Sequence, residues 1–200
     1  MQSSARTCQN LARTNCRAGI LGKSLDALDI RLLDCLQQDN LLTADAMAER
    51  VGLSPSAIAR RLRRLRKTGA IAADVAVVSE EAAGNPLFML VQVQLERHAL
   101  PDVAALRRRL AACANVQLLL DVSGTIDIVL LVVARDLDAF NAFADEMLAS
   151  DRAVRRYETS LVKSRRKTSL AMPLAVLRGV EHAPGDGEDF LTVYISTSAT

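Results

Sequence analysis

Tryptophan is absent, and aromatic residues make up only 3% of the chain. Any core must therefore be built from Leu, Val, Ile and Ala. Long apolar runs are missing too. The most apolar stretch, residues 116–134, is interrupted by Asp121, Ser123, Gly124 and Asp127, which excludes a membrane-spanning helix and reads as two strands. Residues 1–24 lack the continuous apolar segment of a signal peptide. The cysteines are few, Cys8, Cys16, Cys35 and Cys113, and none forms a CxxC pair. Without a secretion signal they are expected as reduced thiols in a cytoplasmic protein, Cys35 and Cys113 on apolar helix faces. Histidine occurs only at His98 and His182, and neither a nucleophile–base pair nor a metal-spaced cluster is present. The expectation is therefore a chain with no catalytic residues, no metal ligands and no cofactor, rather than an enzyme.

One local shortage is more informative than these. Between Ser54 and Gly69 there is no acid at all, while Arg60, Arg61, Arg63, Arg64, Arg66 and Lys67 supply six cations. The segment SPSAIARRLRRLRKTG is predicted as one helix. Ser54 suits the N-cap, Pro55 the first helical position and Gly69 a left-handed C-cap. Ile58, Leu62 and Leu65 recur at helical spacing as a single apolar stripe. A solvated helix normally mixes signs to gain i,i+4 pairs; a helix basic on every face but one suits phosphate backbones. Upstream, TADAMAERV reads as a short helix capped by Thr43, with Ala46, Ala48 and Val51 inward. Gly52-Leu53-Ser54 then makes a tight turn, and two helices joined in this way are the helix-turn-helix signature. In that motif the second helix presents its N-terminal residues to base edges. The candidate DNA contacts are thus Ser54, Ser56, Ala57 and Arg60, with Arg61, Arg63, Arg64 and Lys67 facing bases or phosphates.

The rest of the chain falls into order around this motif. Residues 1–24 hold four bases and no acid and read as a basic flexible arm. Residues 25–70 are the helix-turn-helix domain, opened by an amphipathic helix over 26–38 with Leu25, Leu28, Leu32, Leu33 and Leu36 as its stripe. Residues 71–86 are a hinge strand or linker ending in Gly84 and Pro86. Over 87–170 the predicted order is β-α-β-β-α-β, a ferredoxin-like arrangement. Its strands are 87–95, 116–122, 126–134 and 154–163. Its helices carry Val103, Leu106 and Leu110, then Leu137, Phe140, Ala144 and Met147, inward. Strands apolar on both faces argue for pairing with a second copy. Residues 171–200 are a tail, Pro-, Gly- and acid-rich over 182–189 and read there as disordered. The fold class is α+β.

These motifs together resemble the Lrp/AsnC family of transcription regulators over roughly residues 25–170. LDALDIRLLDCLQQDN is similar to the family's opening helix, and ADAMAERVGLSPSAIARRLRRLRKTGAI to its helix-turn-helix. VSGTIDIVLLV resembles the strand-turn-strand of its ligand-sensing domain, and ETSLVKSRRK its closing strand. The resemblance implies a winged-type helix-turn-helix followed by a sensing and dimerisation domain. It also implies binding to double-stranded DNA near promoters, and a homodimer that assembles further into tetramers or octamers. Last, it implies modulation by a small molecule, usually an amino acid, and no membrane partner. Locally, Ser123, Gly124, Thr125 and Asp127 suit such an effector: a glycine amide and two hydroxyls for a carboxylate, and an acid for an ammonium. The same turn is also ordinary hairpin chemistry. Thr125 stands where the family commonly has an acid, and the segments before residue 25 and after residue 173 exceed the family's usual length. Two other classes compete: an architectural DNA-compacting protein without an effector, and a tetrapyrrole decarboxylase on the same fold, for which the basic helix has no purpose.

Overall fold

The computed structural model describes residues 25–96 and 100–178. The chain divides into two compact units: of the described residues, 25–75 with 166–178 form the first and 76–165, less the three undescribed, the second.

The first unit is helical. Helix α1 spans Ala27–Gln38, α2 Ala44–Val51 and α3 Pro55–Lys67. Each start is fixed by a side chain that accepts an otherwise orphaned amide. Asp26 takes the Asp29 amide in a reciprocal capping box, Thr43 takes Ala46, and Ser54 takes Ala57. Helix α3 ends in a Schellman motif: Gly69 N–H donates to Arg66 O and Ala70 N–H to Leu65 O. Gly69 has φ +75, a conformation open to glycine at little cost, and Ala70 and Ile71 pack back on the core. That core consists of Leu32, Leu33, Met47, Val51, Ile58, Leu62 and Leu65. Ala46 and Ala48, expected inward in α2, are half-buried; Met47 between them is the buried residue, because a long unbranched side chain fills the irregular space where three helices meet.

The second unit is a four-stranded antiparallel sheet in the order β2-β3-β1-β4. The strands are β1 (Leu87–Leu95), β2 (Val116–Asp121), β3 (Ile128–Ala134) and β4 (Val154–Leu161). Helix α4 (Leu100–Ala112) connects β1 to β2, and α5 (Leu137–Ala144), running on into a π-turn at Asp145–Ala149, connects β3 to β4. This is the expected β-α-β-β-α-β order. One sheet face carries Val91, Val93, Ile128, Leu130 and Val132 against Leu106 and Leu110 of α4 and Phe140 of α5. Pleat alternation places Leu90, Val129, Leu131, Leu118 and Leu120 on the other face, where Leu118 and Leu120 remain exposed.

Three local expectations change. Leu137 is exposed and Leu148, not Met147, is fully buried. Met147 still packs, half-buried, against the same core. Strand β3 begins at Ile128 rather than at 126, since Asp127 turns its carboxylate onto the Leu95 amide. Residues 72–79 form no strand.

Beyond β4 the chain returns to the helical unit. The Gln37 side chain clamps the Met172 backbone from both sides, accepting from its amide (2.6 Å) and donating to its carbonyl (3.0 Å). Helix α6 (Leu174–Arg178) follows, with Leu174 packed on the helical core and Ala175 buried.

Candidate nucleic-acid interface and effector turn

Helix α3 is held by Ile58, Leu62 and Leu65, all buried, so its remaining positions are available for recognition. At its start Ser54 and Ser56 are exposed with their hydroxyls 3.2 Å apart, and Ser54 also accepts the Ala57 amide. The tip therefore presents small groups whose backbone a DNA strand can approach closely. Ala57 is half-buried.

The six cations of this helix divide into two sets. Arg61 and Arg64 turn inward onto Asp29 of α1. Arg61 Nη1 donates to Asp29 Oδ1 at 2.8 Å and to Asp26 Oδ2 at 2.6 Å, and Arg64 Nη2 donates to Asp29 Oδ1 at 2.5 Å. Asp29 has 0% of its surface exposed. Burial pushes its carboxyl up, but the hydrogen bonds from Arg64 and Arg61 and the Asp26 amide outweigh this and hold it below the usual carboxylate range. Arg61 is in turn raised above its ordinary value by the hydrogen bonds to Asp26 and Asp29. Both arginines were read from the sequence as DNA contacts; in the structure their guanidinium groups join helices α1 and α3. Arg66 pairs with Asp74 at 2.9 Å. Arg60, Arg63 and Lys67 are exposed and make no ion pair among the described residues, so they form the free cationic face. Asp29 carried no signal in the sequence beyond that of a capping-box acid.

The candidate effector turn is a run of bends between β2 and β3. Ser123, Gly124 and Thr125 are exposed. Gly124 has φ +144 with nothing within 4 Å of where a Cβ would stand, so this backbone favours glycine even though the space is open. Asp127 is half-buried: its Oδ2 accepts the Leu95 amide at 2.8 Å, and its own amide donates to Val93 O. One of its oxygens thus pins β1 to the turn. Two clefts of about 200 and 220 Å³ lie elsewhere in this unit, one beside Arg109 and Asp151 and one beside Phe88 and Arg165; neither is lined by the turn. His98 and His182 lie outside the described residues. No helix among the described residues is long and apolar enough to cross a membrane.

Comparison with known proteins agrees with both units. Residues 25–72 match the model for winged helix-turn-helix DNA-binding domains, and residues 89–172 match that for the Lrp/AsnC ligand-binding domain. An uncharacterised HTH-type transcriptional regulator of Sinorhizobium fredii is 36% identical over 152 residues, covering 76% of this chain and 90% of that one. The leucine-responsive regulatory protein of Rhizobium meliloti is 34% identical over 137 residues, covering 68% and 88%. A transcriptional regulator of Neisseria meningitidis, solved in complex with L-Met, superposes with a TM-score of 0.69 at 31% identity, covering 77% of this chain and 99% of that one.

Proposed function

The chain belongs to the Lrp/AsnC family of DNA-binding transcription regulators, and from that premise we propose that Arg60, Arg63 and Lys67, with Ser54, Ser56 and Ala57 at the helix tip, read and hold its operator. The observation that carries this is the division of charge on α3: three cations are consumed by Asp29 and Asp74, and the three left over lie on the exposed face. Arg61 and Arg64 act at one remove, by fixing how α3 sits on α1.

The functional unit is at least a homodimer formed through the open face of the sheet. Leu118 and Leu120 stand 40% and 43% exposed there, beside Leu90, Val129 and Leu131, an apolar area that suits burial against an identical copy. Two copies present two recognition helices, as a palindromic site requires.

The effector is an amino acid held at Ser123–Asp127, a reading supported by the Neisseria relative's complex with L-Met. Gly124 offers an amide, Ser123 and Thr125 offer hydroxyls, and the carboxylate oxygen of Asp127 not given to Leu95 is left for an ammonium. Neither of the two clefts described above is lined by the turn; in this reading a neighbouring copy completes the site. DNase footprinting over fragments selected from genomic DNA tests the whole reading: a defined footprint that shifts with one amino acid is expected, and protection without sequence preference would replace the regulator with a compactor. Asp127→Asn isolates the effector. It keeps an acceptor for Leu95 but removes the charge, so binding measured by calorimetry should weaken by about 10- to 100-fold, the value of a charge-assisted hydrogen bond. Gly124→Asp should also abolish the response, by forcing a Cβ onto a glycine-favoured backbone. Amino-acid binding that survives both substitutions moves the site elsewhere.

A further inference from the structure

We propose that the cleft beside Phe88 and Arg165 binds a small organic carboxylate that carries no ammonium group. This site is separate from the recognition helix and from the turn at Ser123–Asp127, and it depends on neither reading.

The cleft lies in the sheet unit, where β1 begins and β4 has ended. At about 220 Å³ it falls below the roughly 300–1,000 Å³ of a drug-sized ligand pocket, so its occupant is small. Leu87 and Val162, both half-buried, supply apolar walls. Glu80, Lys163 and Arg165 supply the charges.

Arg165 is the recognition group, because its guanidinium is held rigid with one edge unused. Its Cζ stands 3.9 Å from the centroid of the Phe88 ring, a cation–π stack that covers one flat face. Its Nε and Nη2 both donate to Glu80 Oε1, which occupies one edge of the fork. Nη1 and the second N–H of Nη2 form the other edge, and they make no hydrogen bond among the described residues. Such an edge fits a carboxylate through two parallel bonds. The side chain keeps 24% of its surface exposed. A ligand can therefore reach it, while most of the group lies out of water, where salt screens the attraction less. Stacking and pairing have already fixed the rotamer, so binding costs little further ordering.

Charge selects among anions. Lys163 is exposed and makes no ion pair among the described residues. Two bases and one acid leave a single positive charge, which one carboxylate balances. A phosphate dianion exceeds it, meets Glu80 at close range and has nothing to place against Leu87 and Val162. An amino acid brings an ammonium between two cations, and Glu80, the acid at hand, is already given to Arg165. Pleat alternation puts Phe88 on the same sheet face as Leu90. The cleft thus opens at the end of the face assigned to the second copy, and the full chain in its own assembly is the species to test.

Calorimetry compares 3-methylbutanoate, leucine and inorganic phosphate on the full chain. 3-Methylbutanoate should bind more tightly than the other two. Arg165→Lys keeps the charge on Glu80 but removes the fork, and should weaken binding about 10- to 100-fold, the value of a charge-assisted hydrogen bond. Lys163→Ala removes an exposed charge and should weaken it about two- to fivefold. Asp127→Asn should leave it unchanged. Thermal melts confirm that each variant is folded; if Arg165→Lys is not, Lys163→Ala decides alone. Absence of 3-methylbutanoate binding overturns the proposal, as does binding that no folded variant in the cleft weakens. Loss on Asp127→Asn overturns it too, by moving the ligand to the turn. Leucine or phosphate bound as tightly through Lys163 and Arg165 overturns the choice of a carboxylate without an ammonium.

Discussion

Replacing Asp29, the buried charged residue among the described residues, with Ala is expected to destabilise the helical unit by about 2–4 kcal/mol. Removing one partner from a buried ion pair costs about 3–5 kcal/mol when the other is left buried. Here the partners, Arg61 and Arg64, keep 24% and 33% of their side-chain surface in contact with solvent and can hydrate, which lowers the figure. A unit of about sixty described residues has a total stability on the order of 3–9 kcal/mol, so the loss approaches the whole at the lower end. Hydrogen exchange at the amides of α1 and α3 measures it directly, with the amides of β1 and β3 as the internal reference. Asp29→Asn should cost less, since an oxygen still accepts from one arginine. The pH dependence has a definite sign. The folded-state pKa of Asp29 is depressed below its ordinary 3.8, so its contribution is fully present above that value and is lost as pH falls through the folded-state pKa. The extra acid lability of the unaltered protein relative to Asp29→Asn should therefore appear only below about pH 4. If exchange at α1 and α3 is unchanged in Asp29→Ala, the buried pair contributes nothing to the unit.

The triple substitution Arg60→Ala/Arg63→Ala/Lys67→Ala is expected to abolish operator binding while leaving the melting temperature within a degree or two. These side chains are exposed and unpaired among the described residues, and such surface changes move stability by less than about 0.5 kcal/mol. Arg60 lies nearest the helix start, and a bidentate base contact there is worth about 1–3 kcal/mol of discrimination. Arg63 and Lys67 lie farther along and should each remove about one unit of salt slope, with equal loss on all sequences. Arg61→Ala/Arg64→Ala provides the contrast. It should leave Asp29 buried without its guanidinium partners and depress stability, with a smaller change in salt slope. If Arg61→Ala/Arg64→Ala instead leaves stability unaltered and removes two units of slope, the inward pairing does not persist on DNA and the division of the six cations is wrong.

How far the sequence disclosed this arrangement depended on how local each cause was. Caps at Thr43 and Ser54, the αL residue Gly69 and the stripe Ile58, Leu62 and Leu65 are decided within one or two turns of chain, and all were legible. So was the order of elements along the second unit, because alternating Val91 and Val93 and the breaks at 123–127 mark its strands. The pairing of Arg61 and Arg64 with Asp29 was not. A run of bases reads as uniformly outward until the acid opposite is known, and Asp29, three residues after Asp26, has the spacing of a cap and gives no sign of its burial. The second task of Asp127 was not legible either. Its bond to Leu95 joins residues 32 apart and leaves no periodic trace. The π-turn at 145–149 likewise had no marker, and Leu148 joins Met147 against the core there.

The return of residues 166–178 to the helical unit makes the sheet domain an insertion within it. Docking Gln37 on Met172 and Leu174 on the core closes a loop of 90 residues, 76–165, and for a flexible chain that closure costs about 4 kcal/mol of entropy. When the sheet is folded most of this is already met: Arg165 is held by Glu80, and the Val162 amide donates to Phe88 O, so the two ends of the insertion leave side by side. The effective loop shrinks to some fifteen residues, and the closure becomes cheaper by roughly 1.5 kcal/mol. Folding of the sheet thus stabilises the DNA-binding helices through the connectivity of the chain alone. A ligand that suppresses opening of the sheet domain carries the same benefit to α1, and a fragment cut after residue 75 forfeits it together with the clamp on Gln37.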